Sequence, residues 1–110
     1  MNDRAESSLA IRERVMRARL RQGERYEGTP FIANGDVPGS QVRVHCALDE
    51  AGNALLKTAS ATRKFSARAF DRIARVARTI ADLAGDDTIH AEHVAEAIMY
   101  RSLERLGRAA

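Results

Sequence analysis

The residues best suited to chemistry lie in the segment Arg63-Lys64-Phe65-Ser66-Ala67-Arg68. Ser66 is a favourable N-cap residue, so a helix is expected to begin directly after it, with Arg68 in the first turn. The helix dipole disfavours a cation there by about 0.3–1 kcal/mol, but the free N–H groups and the same dipole attract an anion. The segment therefore predicts either an anion site, with phosphate as the natural ligand, or a solvated arginine on an Arg-rich helix.

Two histidines near two aspartates form the second candidate cluster. His90 and His93 are three residues apart at an expected helix start that follows Asp86 and Asp87, so the histidines could share one face. Zinc normally takes four ligands, including sulfur or a third histidine, and the lone Cys46 is distant in the sequence. We therefore predict no metal site, and we expect both histidines to lie at a solvated helix start.

Helical periodicity and capping residues predict an all-α fold, a small helical bundle, to position these groups. No segment alternates convincingly with period two. The Pro- and Gly-rich stretch 26–39 is expected to be a loop or extended connection. The predicted helices are Ser8 to Arg25, a short helix capped by Ser40 through Cys46, one capped by Asp49 and ending near Thr62, one between Ser66 and Gly85, and one from about His90 to Leu106.

The apolar residues predict which helix faces are buried. The clearest stripe comprises Phe70, Ile73, Ala74, Ala77, Ile80, Ala81 and Ala84, and the last helix should bury Val94, Ala95, Ile98, Met99 and Leu103. Asp71 with Arg75 and Arg78 with Asp82 are read as i,i+4 pairs on a solvated or interface face, each stabilising by about 0.3–0.5 kcal/mol. Arginines surround most of the first helix, as in a linker or a helix that awaits a partner.

Composition limits the classes of function. The 110 residues are 45% hydrophobic and 30% charged, which fits one small folded domain. A net charge of +3 is mild for a DNA-binding protein, and the single cysteine fits a reducing cytoplasm. No apolar run approaches the ~20 residues of a membrane helix. No phosphate loop or catalytic triad pattern is present, so we predict that this chain alone is not an enzyme.

A family resemblance covers the chain from about residue 6 to residue 104. In order along the sequence stand RERVMRARLRQGERYEGT, the Asn34-Gly35-Asp36-Val37-Pro38 element, HCALDEAGNALL and FSARAFDRIARVARTIADLAGDDTIHAEHVAEAIMYR. In these motifs the chain resembles the C-terminal domain of magnesium-chelatase-like AAA+ ATPases, the group that includes ComM and YifB. Arg63-Lys64-Phe65 departs from the Leu-Gly-Leu more typical of that group.

The resemblance implies an AAA+ lid-type subdomain. In such lids a sensor-2 arginine at a helix start approaches the γ-phosphate of ATP, and by motif it maps onto Arg68. ATP and Mg²⁺ are then cofactors of the full-length parent, with none bound tightly by this fragment. The implied partners are the chain's own upstream base domain and a homo-oligomeric ring, a hexamer, with DNA as a further partner of the cytoplasmic parent and no membrane.

Two functions remain open at this point. In the first, residues 1–39 are a linker helix and extended connection to a missing ATPase base domain, and residues 40–110 are the helical lid that senses ATP for a DNA-processing, helicase-type machine. In the second, the chain is a stand-alone histone-like or DNA-binding helical module with a dimer interface along the 66–84 helix. An isolated lid is expected to be monomeric at micromolar concentration, which would separate the two.

Overall fold

The computed structural model describes residues 7–109 and, for the side chains, residues 7–107. Residues 1–6 and 110, which the two predicted domain ranges include, lie outside the described residues, and so does residue 6 at the start of the family resemblance. Short 3₁₀ turns at Asn34–Asp36 and Gly39–Gln41 interrupt the loop after the first helix. The predicted all-α fold is confirmed. The helices are α1 (Ser8–Arg25), α2 (Val42–His45), α3 (Glu50–Arg63), α4 (Ala67–Ala84) and α5 (Ala91–Ala109).

The predicted caps set most of the helix ends. The Asp49 carboxylate accepts a hydrogen bond from the Gly52 N–H at the start of α3. Ser66 caps α4, and Gly85 ends α4 in the left-handed conformation with φ of 79°. The prediction that Ser40 caps a helix was wrong, because Ser40 lies inside the 3₁₀ turn and α2 begins without a side-chain cap.

The core is centred on α4, which packs against both α1 and α5, while α3 packs against α5. The segments before α3 and α5 run side by side, since Leu48 and Ile89 form a parallel β-bridge and the Asp49 N–H donates to the Ile89 carbonyl at 3.0 Å. A histone-like dimer would need the apolar face of α4, and that face is already packed within the chain. The central buried side chains are Leu56, Ile73, Ala77, Ala81, Ile89, Val94, Ala97 and Ile98.

The predicted faces of α4 and α5 are partly confirmed. On α4 the middle of the stripe is buried as expected, but Phe70 and Ile80 are half-buried and Ala84 is exposed. On α5, Val94 and Ile98 are buried, and Ala97 joins them. The face is therefore rotated from the predicted one, because α5 contacts α3 and α4 at once. Three residues predicted to be buried are exposed: Ala95, Met99 and Leu103.

Arg78 and Asp82 form an i,i+4 ion pair as predicted, but the pair is buried within the chain and does not lie on the expected solvated or interface face. Arg78 is 4% exposed and Asp82 is 1% exposed, because α1 crosses α4 here and covers them. Arg25 from α1 donates two hydrogen bonds to the Asp82 carboxylate, at 2.7 and 2.9 Å, and Arg78 Nε donates a third at 3.2 Å. The hydrogen bond with Asp82 raises the pKa of Arg25, and burial lowers the pKa of Arg78, although arginine stays protonated in proteins.

Asn34 completes this network from the loop between α1 and α2. Its amide Nδ2 donates to Asp82 at 2.9 Å and to Thr79 at 3.0 Å. Its Oδ1 accepts from the Tyr26 hydroxyl at 2.6 Å and from Arg25 at 3.1 Å. Burial is the main cause that raises the pKa of Tyr26 to about 12. The amide thus uses both its donor and its acceptor to hold the loop against α1 and α4, as a buried polar group must.

Arg78 and Arg21 form further hydrogen bonds at the C-terminal end of α4. Arg78 donates to the Asp86 carbonyl at 2.6 Å and to the Asp87 carbonyl at 2.9 Å. Arg21 of α1 donates to the Gly85 carbonyl at 2.9 Å and pairs with the Asp87 carboxylate at 2.6 Å. Arg21 therefore fixes the C-terminal end of α4 to α1 through charge-assisted hydrogen bonds near the surface, where the Asp87 side chain is 93% exposed.

Candidate functional site

The candidate anion site is the exposed first turn of α4. Ser66 is extended, and its Oγ accepts the Ala69 N–H at 3.1 Å. The N–H groups of Ala67 and Arg68 precede the first intrahelical hydrogen bond, which the Phe70 N–H donates to the Ser66 carbonyl. Two backbone donors, the positive end of the helix dipole and the Arg68 side chain therefore all belong to this exposed first turn, and together they offer the chemistry that a phosphate oxygen requires.

The Arg68 side chain differs from the other arginines on the same face of α4. Arg72 binds both Glu104 oxygens at 2.9 and 3.1 Å. Arg75 donates from Nε to the Val37 carbonyl at 2.7 Å. Arg68 is exposed, and within residues 7–107 it has no hydrogen bond or ion pair. Of this row, Arg68 is therefore the guanidinium that remains available to a ligand.

Lys64 sets the angle between α3 and α4 at some conformational cost. It ends α3 in the left-handed region with φ of 55° and ψ of 50°. Side chains other than glycine rarely adopt this conformation, whereas glycine adopts it freely. In the Arg63-Lys64-Phe65 segment, Lys64 stands where the Leu-Gly-Leu more typical of the family has its glycine. The lysine takes the conformation for which glycine is suited.

The C-terminal half of α5 braces this turn. The Arg101 guanidinium lies 5.2 Å from the centre of the Phe65 ring, within the range of a cation–π contact. Arg63 donates to the Ser102 hydroxyl at 2.8 Å. These contacts hold Phe65 in place directly before the Ser66 cap, so the start of α4 has a defined direction although its first turn is exposed.

His93 is a buried structural residue, so the prediction that both histidines are solvated was wrong for it. The ring is 4% exposed, and its Nδ1 accepts the His90 N–H at 2.9 Å, in the manner of a capping box at the start of α5. His90 is exposed as predicted, and it pairs with Asp49 at 2.9 Å. That hydrogen bond raises the pKa of His90. The pKa of Asp49 is lowered, first by the Gly52 N–H and then by His90.

The Asp86, Glu92 and His93 side chains come close enough to suggest a metal site, since their ligand atoms lie within 4.8 Å of one another. Their hydrogen bonds oppose metal binding. The backbone N–H on Nδ1 leaves the proton of the neutral ring on Nε2, and that nitrogen lies 3.1 Å from the Asp86 carboxylate. A metal on Nε2 would need the proton on Nδ1, where the His90 N–H already points. The cluster therefore fits a hydrogen-bonded loop closure.

Residues 5–101 match the family described as magnesium chelatase, subunit ChlI C-terminal. The chain belongs to this family. Because the match includes α1, the loop with Asn34, and α4, both the buried network and the Arg68 turn lie inside the family domain.

The curated relatives lead to the same family. The chain is 36% identical over 104 residues to the competence protein ComM of Haemophilus influenzae, covering 94% of this chain and 20% of that protein. It is 36% identical over 101 residues to YifB of Escherichia coli, covering 92% of this chain and 19% of that protein. The chain thus spans about a fifth of the length of these relatives. No solved structure matches it, and no helix in the described part is long and apolar enough to cross a bilayer.

The magnesium chelatase C-terminal domain contains one cluster that sequence reasoning missed, the network around Asp82. Its signals were present, since the Asn34-Gly35-Asp36 element belonged to the resemblance and Arg78 stands four residues before Asp82. Helical periodicity placed Arg78 and Asp82 on a solvated or interface face, because it reports only the apolar stripe. Arg68, by contrast, lies in the first turn of α4, as the Ser66 cap predicted.

Proposed function

We propose that this domain is the helical lid of a magnesium-chelatase-like AAA+ ATPase and that Arg68 contacts the phosphates of ATP held by an upstream base domain of the longer polypeptide. The observation that carries the proposal is the exposed Arg68 at the first turn of α4, which has no hydrogen bond or ion pair within residues 7–107, in a row whose other arginines are engaged. A guanidinium beside free N–H groups at a helix start has the donors and charge that a phosphate needs.

In this mechanism the bound nucleotide supplies the charge that the start of α4 lacks. When Mg²⁺-ATP is present, the Arg68 guanidinium binds a terminal phosphate oxygen and stabilises the charge that develops there during hydrolysis. Hydrolysis transfers the terminal phosphoryl group to water, and departure of the inorganic phosphate would remove this contact and release the start of α4. The position of the lid would thereby depend on the state of the bound nucleotide.

The network around Asp82 would carry that movement to α1. Arg25 and Arg78 fix α1 to α4 through one buried carboxylate, so a rotation of α4 takes α1 with it. On this proposal α1 leads to the base domain, and subunits assemble into a homo-oligomeric ring, a hexamer, in which lid motion is passed between neighbours. A DNA-processing role for the parent, in the cytoplasm, rests on the resemblance to ComM alone.

The decisive experiment uses the longer polypeptide that contains the phosphate loop. Arg68→Ala should reduce ATP turnover about 10³-fold while Mg²⁺-ATP binding and the melting temperature stay close to wild type. Arg72→Ala is the matched control, since Arg72 lies one turn further along the same helix and is paired with Glu104. Wild-type turnover by Arg68→Ala would show that Arg68 is not the nucleotide-sensing residue.

A second measurement tests the assignment of catalysis to the rest of the parent. The present chain alone should show no ATP hydrolysis above a buffer blank, since the sequence contains no phosphate loop. Turnover that survives repurification and is abolished by a point substitution within this chain would contradict the lid proposal.

A further inference from the structure

A surface cavity of about 310 Å³ lies where α2, α3 and α4 come together, and the proposed lid mechanism does not use it. Its floor is apolar. Val42 and Cys46 of α2 and Ala74 of α4 are buried there, and Phe70 lies half-buried one turn before Ala74. Small-molecule sites in proteins occupy about 300–1,000 Å³ and are mostly apolar with a few polar groups. The cavity has the size and the floor of a site for a small ligand.

Three polar side chains line the same cavity. Arg43 belongs to α2, and Asn53 and Lys57 lie four residues apart on one face of α3. All three are exposed, and within residues 7–107 none of the three side chains has a hydrogen bond or ion pair. A guanidinium, an ammonium and an amide are therefore available as donors to one ligand.

The charged residues that line this cavity are all basic. Asp49 at the start of α3 accepts the capping hydrogen bond and pairs with His90. The Asp71 carboxylate of α4 lies against Gly39. Neither of these acidic residues, nor Glu50, lines the cavity. Three other cavities in the described part of the chain each combine basic with acidic residues. The cavity between α2, α3 and α4 thus favours an anion.

We propose that this cavity binds a small organic acid whose carboxylate is attached to an aromatic or branched aliphatic group. Arg43 and Lys57 bind the carboxylate, and the apolar group lies on the floor beside Phe70. Inorganic phosphate fits less well, because its other charged oxygens would face the apolar floor without donors. The site is separate from the nucleotide proposal, since helical geometry puts Arg68 roughly on the opposite face of α4 from Phe70 and Ala74.

The test is an NMR titration of the ¹⁵N-labelled chain with phenylacetate. Amide shifts should concentrate at Val42, Leu48, Phe70 and Ala74 and should saturate with a Kd in the low millimolar range, as expected for so small a ligand. Phenylacetamide, the neutral isostere, should bind at least about fivefold more weakly, because it lacks the charge that the two cations bind. Acetate should not saturate these shifts, because it lacks the apolar group.

Substitutions then separate the cavity from the net charge of the protein. Arg43→Met and Lys57→Met each remove one cation but keep an apolar stem, so each should raise the Kd for phenylacetate about threefold, and together about tenfold. Arg19→Met is the matched control, because it removes the same charge from an exposed position on α1 and should leave the Kd unchanged.

Three results would overturn the inference: phenylacetate shifts that do not saturate, equal binding of phenylacetamide or acetate, or a double variant that binds phenylacetate like the wild type. None of them would bear on the role of Arg68, which is tested by ATP turnover in the longer polypeptide.

Discussion

At its C-terminal end, α4 surrounds the Asp82 carboxylate with Arg25 and Arg78, whereas at its N-terminal end Arg68 reaches solvent with no partner among the described residues. The same side chain type therefore serves two purposes on one helix. Burial makes a guanidinium costly unless a carboxylate and carbonyls satisfy it, and once satisfied it holds helices together. Exposure leaves a guanidinium free to bind a ligand, at the position where the helix dipole favours an anion.

The largest effect is expected at the buried end. Asp82→Ala leaves Arg25 and Arg78 without their shared counter-ion, so the free energy of unfolding should fall by about 3–5 kcal/mol. Urea denaturation followed by circular dichroism measures it. The matched control is Glu13→Ala, which removes a carboxylate from an exposed pair with Arg17 and should change stability by less than about 0.5 kcal/mol. Equal losses for both variants would mean that Asp82 is solvated.

Substitution of His93, which caps α5, should have the next largest effect on stability. His93→Ala removes the acceptor of the His90 N–H and the donor to Asp86, so it should cost about 1–3 kcal/mol. His93→Gln should retain most of the stability, since a glutamine at this position can accept the same N–H. If zinc bound at this cluster, adding zinc would raise the wild-type melting temperature, and we expect no such shift.

At the other end of α4, a substitution should stabilise the protein. Lys64→Gly relieves the left-handed backbone and should raise the free energy of unfolding by about 0.5–1 kcal/mol. Lys57→Gly is the control, because Lys57 lies within α3 and the same change there should cost about 1 kcal/mol. A loss at both positions would show that the Lys64 side chain makes a stabilising contact that outweighs its backbone cost.

The smallest expected effect is the pH dependence of the Asp49–His90 pair. The pKa of His90 is raised above its ordinary 6.5. The stability that protonated His90 contributes is therefore complete below pH 6.5 and is lost as the pH rises through the raised pKa. The pKa of Asp49 is lowered below 3.8, so the stability that ionised Asp49 contributes is lost as the pH falls through the lowered pKa. NMR titration of His90 should give a midpoint above 6.5 that falls toward 6.5 in Asp49→Asn. An unchanged midpoint would exclude the pair in solution.

Much of the fold could be predicted because caps and periodicity are local signals. α1 begins and ends as predicted, and Asp49, Ser66 and Gly85 cap helices as their residue types indicate. What the sequence did not predict depends on contacts between distant segments. The partners of Asp82 come from positions 25 and 34, and no window of the sequence brings them together.

The candidate site, too, was predicted from the sequence only in part. Arg68 and its helix start were predicted from Ser66 alone, and the sensor-2 assignment came from the family motif. The engagement of Arg72 and Arg75 was not predicted, since Glu104 and the Val37 carbonyl lie about 30 to 40 residues away. It is that engagement which distinguishes Arg68 from its neighbours.

The most direct test of this comparison is one substitution made at both ends of the same helix. In the isolated chain, Arg78→Ala should lower the free energy of unfolding by about 3 kcal/mol or more, because Arg78 is buried against Asp82 and two loop carbonyls. Arg68→Ala should leave it unchanged or raise it by up to about 1 kcal/mol, because it removes a cation from the positive end of the helix dipole. A loss at Arg68 comparable to that at Arg78 would contradict the account, since Arg68 would then be a structural residue like the others.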